Sequence, residues 1–327
     1  MKKAVRVGIA GLAVAAVGGA LIAHQSSAQS MTEVSFILNW FVEPPHGGYY
    51  AAMKDGLYEK AGLKVKLIPG GPDVAGQTLL AAGKVQFAET DPPAILNARA
   101  QGAPLVGVFA TFQDSPQAFL YHKSNPVKSF ADFKGRTVEV SPGAPYWDFI
   151  EAKYNLKGNY KRINYGGQVG PFVQDKTRLT QCYAIAEPFE LEKQKVDFDV
   201  LLVAESGFDP YVTIATTEDY IKSNSATVKA FLAATQEGWK RYLKNPSAYE
   251  DALQTGNKEL KSDYLKWGAK QVGRYVLGTD GVTTKNGIGY MTDQRWKDMA
   301  DQLLQVGVLK KAADWKSAYT SEFIPKP

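Results

Sequence analysis

The sequence predicts an α/β protein built as two lobes, and three observations carry that expectation. Between Val34 and Phe112, short apolar strands alternate with helical stretches, the pattern of a mostly parallel sheet covered on both faces. From Gln117 to Val203 a second run of the same kind follows, Tyr211–Thr216 reads as a strand crossing back to the first lobe, and beyond it the chain reads as helical. The chain has 327 residues. Without its leader about 300 remain, enough for two lobes of roughly 100–200 residues each.

Residues 1–28 read as a secretory leader: Lys2, Lys3 and Arg6 precede an apolar run from Val7 to Ala23, and Ser26-Ser27-Ala28 offers small residues for cleavage. The apolar run is shorter than the roughly 20 residues a spanning helix needs. No cysteine follows it, so the expected mature N-terminus has no thiol to lipidate. Export into a bacterial periplasm is the predicted location. Removing the three leader cations from the formal charge of +5 leaves about +2, too little for a nucleic-acid footprint. Cys182 is the only cysteine, so no intramolecular disulfide can form and the core alone must hold the fold.

The segment Val34 to Met53 organises the first lobe. It reads as a strand ending in Asn39-Trp40, then a Pro44-Pro45 turn, then Gly47-Gly48 opening a helix with Tyr49 and Tyr50 in its first turn. The carboxyl end of a strand in an open α/β sheet is where ligands bind, and the glycine pair allows close backbone approach. Leu63 to Leu67 alternates as a half-buried strand. Pro69-Gly70-Gly71-Pro72 is a turn before a helix with Asp73 as cap, and Val85 and Phe87 mark the next strand. Asp91 is placed to cap the helix that begins at Pro92-Pro93. Leu105 to Phe112 is a further apolar strand. In the second block, Ala118–His122, Thr137–Val140, Arg162–Tyr165 and Val200–Val203 read as strands, and Gln181–Phe189 as a strand entering a helix. Two aromatic stripes at helical spacing, Val228 to Tyr242 and Trp296 to Leu303, are expected to be core.

Several landmarks then coincide: Leu38-Asn39-Trp40 before His46-Gly47-Gly48-Tyr49, Gly56-Leu57-Tyr58, Gly83-Lys84-Val85-Gln86-Phe87, and Ala186-Glu187-Pro188. Together these resemble the SsuA/THI5-like periplasmic substrate-binding proteins, the family of thiamine-pyrimidine, taurine, sulfonate and nitrate carriers and of a yeast-type pyrimidine synthase. The resemblance implies a type II periplasmic-binding-protein fold, two doubly wound lobes joined by a two-strand hinge. Lobe I would comprise residues 31–115 with 205–327, and lobe II residues 116–204. It also implies closure over one small molecule and delivery to an ABC permease in the inner membrane. A monomer is expected, with no nucleic-acid partner, no cofactor, no metal and no catalytic residue.

In such a cleft, five segments are expected to converge, contributing Asn39, Trp40, His46, Tyr49, Asp91, Gly143, Tyr146, Tyr183 and Glu187. Their aromatic content points to a flat ligand stacked between rings, each contact worth about 0.5–1.5 kcal/mol beyond burial. None of the five segments carries Lys or Arg. Carboxylates that accept N–H groups therefore favour an aminopyrimidine or thiamine precursor. A flavin-like ring is an alternative, as is a sulfonate or nitrate held at the helix start Gly143 to Tyr146. Plainer structural readings stand beside these: Trp40 as core, Asn39 and Asp91 as turn caps, Glu187 as an acidic helix start, His46 as a partner for turn backbone. Cys182 reads as a small buried hydrophobe. A hydrolase lacks support, since no Gly-x-Ser-x-Gly elbow occurs and the histidines are only His24, His46 and His122. The synthase reading meets one isolated thiol in Gln181-Cys182-Tyr183 where a cysteine-rich motif would be needed.

Overall fold

Among the described residues ten strands form, in chain order: β1 (Thr32–Ile37), β2 (Leu63–Ile68), β3 (Phe87–Thr90), β4 (Leu105–Phe112), β5 (Gln117–His122), β6 (Thr137–Val140), β7 (Lys161–Asn164), β8 (Leu179–Tyr183), β9 (Phe198–Leu202) and β10 (Val212–Thr217). The computed structural model describes Met1, residues 31–71 and residues 74–327. The leader and the Asp73 cap lie outside the described residues. Two five-stranded sheets result, ordered β2-β1-β3-β10-β4 and β7-β6-β8-β5-β9. This is a two-lobed α/β architecture.

The alternation in β1 explains why its sheet is covered on both faces. Val34 and Phe36 pack in one apolar cluster with Phe231, whereas Ile37 belongs to another with Ile95 and Trp296. β1 runs parallel to β2 and β3. The sheet is mostly parallel, as expected: β1, β2, β3 and β4 share one direction, and β10 alone lies antiparallel, between β3 and β4. The reason is connectivity: this strand returns from the second sheet and enters the first from the opposite end. In the second sheet β6 is parallel to β7 and β8, while β5 runs antiparallel to β8 and β9.

The chain crosses between the sheets twice, from Phe112 to Gln117 and from Leu202 to Val212. Asp209 ties the two crossings together. Its Oδ1 accepts the Ser115 backbone N–H at 2.8 Å, and Arg295 donates to its backbone oxygen at 2.8 Å and to its Oδ2 at 3.1 Å. The Arg295 guanidinium also sits 4.0 Å from the centre of the Tyr211 ring.

Both aromatic stripes are buried as expected. The helix Glu218–Lys244, capped by the Thr217 hydroxyl, buries Val228, Phe231, Leu232, Thr235, Trp239 and Tyr242. The helix Asp293–Gln305 buries Trp296, Met299, Ala300 and Leu303.

Gly47 and Gly48 open the helix Gly47–Lys54. The close approach they permit is to another helix and not to a ligand. A Cβ on Gly47 would fall 2.1 Å from the Tyr242 ring, and one on Gly48 2.2 Å from Trp239. Across the same contact, a Cβ on Gly238 would fall 2.3 Å from the Gly48 carbonyl oxygen. Backbone cannot swing aside as a side chain can. Gly238→Ala should therefore destabilise the protein by about 1–3 kcal/mol through overpacking, read as a lower urea midpoint. An unchanged midpoint would contradict this helix crossing.

Candidate functional site

The site begins where β1 ends. Asn39 and Trp40 follow the strand, and the Pro44–His46 turn brings His46 back against them. Trp40 is 39% exposed, with Phe41 edge-on at 5.4 Å, so it is a surface of the cleft and not lobe core. His46 is buried. Its Nδ1 accepts the Glu43 backbone N–H at 3.2 Å, which assigns the proton of a neutral ring to Nε2. That Nε2 lies 3.2 Å from Asn39 Oδ1 and 3.3 Å from Glu89 Oε2.

Glu89 is the centre of this network. It sits inside β3, nearly inaccessible, with its carboxylate facing the cleft wall. Oε1 accepts the Tyr49 hydroxyl at 2.7 Å, and Oε2 accepts the Asn39 backbone N–H at 3.3 Å. Because Tyr49 donates to Glu89, it accepts from the Thr111 hydroxyl, 2.5 Å away. A chain of hydrogen bonds thus runs from the core of the first sheet to the cleft, satisfying a carboxylate that would otherwise be costly to bury.

The facing wall comes from the second sheet. Gln181 Oε1 accepts both the Ser141 backbone N–H at 2.5 Å and the Tyr146 hydroxyl at 2.6 Å, fixing the loop after β6. Glu187 opens the helix Glu187–Lys193; its Oε2 accepts the Tyr183 backbone N–H at 2.8 Å and its Oε1 accepts the Tyr165 hydroxyl. Trp267, on the helix Ser262–Leu277, donates to Glu192 at 2.8 Å, and the Tyr264 ring packs at a tilt against Phe189 with ring centres 5.1 Å apart. These contacts bridge the two walls at one end of the cleft.

Two adjoining chambers lie between the walls. The first, about 230 Å³, is bounded by Trp40, Phe112, Tyr165 and Tyr183, with Glu43, His46, Glu89 and Glu187 among its polar groups. The second, about 270 Å³, holds Asp91 and Tyr146 and shares Asn39, Glu89, Gln117, Tyr183 and Val212 with the first. Neither chamber is lined by Lys or Arg among the described residues.

Of the nine residues expected from sequence, Asn39, Trp40, His46, Tyr183 and Glu187 line the first chamber, and Asp91 and Tyr146 the second. Asp91 also caps its helix, its Oδ1 accepting Ala94 N–H at 2.8 Å, so the plainer reading holds as well. Two placements need correction. Tyr49 is fully buried and lines neither chamber, because the helix turns its ring into the core against Phe36 and Trp239; it supports Glu89 from behind. Gly143 also lines neither chamber; its φ of +68° makes it a turn residue ahead of the helix Pro145–Lys153. Sequence reasoning missed Glu43, Glu89, Gln117, Tyr165 and Gln181. A glutamate inside the otherwise buried run Phe87-Ala88-Glu89-Thr90 was the available signal for the second of these.

Four ionisable groups in the first chamber, Glu43, Tyr165, Cys182 and Tyr183, hold their protons more tightly than usual, chiefly through burial. Burial pushes the Cys182 thiol well above its usual range, with Glu187 adding to the effect, so the sulfur stays protonated and is no nucleophile. Burial pushes the half-buried Glu43 carboxyl up to about 7, opposed by His46 and reinforced by Glu187. The folded protein holds this proton more tightly than the unfolded chain, whose reference value is 4.5. Its stabilising contribution is therefore present at low pH and lost as pH rises from about 4.5 through about 7. Relative to Glu43→Gln, the wild type should lose thermal stability across that window. Parallel melting-temperature profiles for the two proteins would contradict it.

Comparison with known proteins bears on the family and the fold. The riboflavin-binding protein RibY of Chloroflexus aurantiacus is 25% identical over 312 residues, covering 90% of this chain and 87% of RibY. A formylaminopyrimidine-binding protein of Halalkalibacterium halodurans is 23% identical over 247 residues, 72% of this chain and 73% of its own. Proteins named as 4-amino-5-hydroxymethyl-2-methylpyrimidine phosphate synthases are also among the relatives. Among solved structures, the periplasmic aliphatic sulphonate binding protein SsuA of Escherichia coli superposes with a TM-score of 0.67 at 16% identity, covering 91% of this chain and 93% of SsuA. That likeness establishes the periplasmic-binding-protein fold. The family model described as NMT1/THI5 like matches residues 43–249, well over half the chain, and the protein belongs to that family.

Proposed function

We propose that this protein is the solute-binding component of an ABC importer, exported to the periplasm, and that it captures a small, flat, nitrogen-rich heteroaromatic molecule. The carrying observation is the composition of the first chamber: aromatic rings from both walls, three glutamates and no cation. Flat rings stack favourably on Trp and Tyr faces. Carboxylates accept ring and exocyclic N–H groups, and such charge-assisted bonds are the stronger kind. A sulfonate or nitrate brought beside Glu89 and Glu187, with Glu43 only partly ionised near neutral pH, would meet like charge without an Arg or Lys to offset it. The pyrimidine named for one relative and the flavin named for another share a flat ring with nitrogen at its edge.

Binding without turnover fits the same walls. The Cys182 thiol is held protonated, and His46, Asn39 and Glu89 satisfy one another. Lobe I, taken as residues 31–115 with 205–327, and lobe II, taken as 116–204, would close on the ligand about the two crossings. The closed form would then dock, as a monomer, on a membrane permease.

Titration calorimetry with an aminopyrimidine, riboflavin and an alkanesulfonate tests the reading. Heat from at least one heteroaromatic, with none from the sulfonate, is the expected result. A sulfonate response with silence from both heteroaromatics would overturn it.

A further inference from the structure

The second chamber differs in chemistry from the first. Its polar lining comes mostly from neutral groups, among them Gln77, Thr90, Gln117, Tyr146 and Tyr183, together with the carboxylates of Asp91 and, shared with the first chamber, Glu89. Several of their atoms have no protein partner among the described residues. Gln77 uses its amide nitrogen on Thr90 Oγ1 at 2.9 Å, and Gln117 uses its own on the Cys182 carbonyl at 3.1 Å, leaving each amide oxygen to accept. Asp91 spends Oδ1 on its helix cap and leaves Oδ2. The Tyr146 hydroxyl donates to Gln181 and keeps its capacity to accept. The Thr90 and Tyr183 hydroxyls also keep a proton to donate, so the lining offers both acceptors and donors around a space of about 270 Å³ that adjoins the aromatic chamber.

Resting on the reading of the first chamber as a heteroaromatic site, we infer that the second chamber seats a neutral, hydroxyl-bearing substituent of that ring and excludes its phosphate ester. Hydroxyl groups both donate and accept, which suits a lining that offers acceptors and donors but no cation. A phosphate is acceptor-only at its ionised oxygens and carries roughly −1.5 to −2 charges at neutral pH. It would face Asp91 with no cation in the wall. Tyr183, shared by both chambers, stands where ring and substituent would join.

The test is a ladder of three ligands on each of two rings, measured by equilibrium dialysis on the mature chain: cytosine, cytidine and cytidine monophosphate; lumichrome, riboflavin and flavin mononucleotide. In the series that binds, the hydroxylated member should bind about tenfold tighter than the bare ring, the effect of one to three net hydrogen bonds. Its phosphate ester should bind at least about tenfold more weakly than the hydroxylated member. Asp91→Asn, which keeps an equally good helix cap, should recover part of the phosphate ester's affinity. Bare-ring binding that is not improved by the hydroxylated substituent, or a phosphate ester that binds as tightly, overturns the inference and leaves the first-chamber reading intact. If no member of either series binds and aminopyrimidines also fail, the first-chamber reading falls and takes this inference with it.

Discussion

Replacing Glu89 with alanine should abolish ligand binding and destabilise the fold together. The side chain is nearly inaccessible and accepts from the Tyr49 hydroxyl and the Asn39 backbone N–H, with His46 Nε2 at 3.3 Å. Each buried donor deprived of its acceptor costs roughly 1–3 kcal/mol. Thr111 and Asn39 Oδ1 remain as partial substitutes for Tyr49 and His46, so the total should stay below the sum of three such losses. Glu89→Gln preserves an acceptor and the volume but not the charge, and should be intermediate in stability while binding N–H-donating ligands poorly. Urea unfolding and calorimetry on the two variants give both readouts. Full stability in Glu89→Ala would show that the network carries no energetic weight.

Trp40→Ala should act on binding alone. The ring is partly exposed in the cleft, its aromatic neighbour being Phe41, so its removal leaves the core intact. Loss of one stacking face and its buried area should weaken a flat ligand by about 2–3 kcal/mol, or roughly 30- to 150-fold. The unfolding midpoint should shift by less than about 0.5 kcal/mol, as surface substitutions do. Glu187 is a less clean probe of the opposite wall. Its carboxylate holds both the Tyr165 hydroxyl and the Tyr183 backbone, so Glu187→Ala would disorganise two wall residues at once; Glu187→Gln is the better test.

The sheets were legible because buried strands announce themselves by apolar runs and by turns at their ends. The return of the chain to the first lobe was legible at Tyr211–Thr216, but the place of β10 between β3 and β4 was not, since nothing local to Val212–Thr217 records its neighbours. The site shows the same division. Asn39 and Trp40 followed from their place after β1, and Glu187 from the helix start before Pro188. Tyr49 was misplaced because a helix turns each residue about a hundred degrees, and the first turn alone does not say which side meets the core. The contact that decides it, Gly47 and Gly48 against Trp239 and Tyr242, joins residues almost two hundred positions apart. Glu43, Gln117 and Tyr165 lie on loops or strand ends whose approach to the cleft depends on how the two sheets face each other, and no periodicity encodes that.

The most direct test is the identity of what the protein carries. Mature protein purified without denaturation should release, on acid treatment, a flat heteroaromatic with N–H groups at its edge, identified by mass spectrometry. Release of an organic sulfonate or another small anion in stoichiometric amount would contradict the account, because the cleft offers such a ligand three glutamates and no cation.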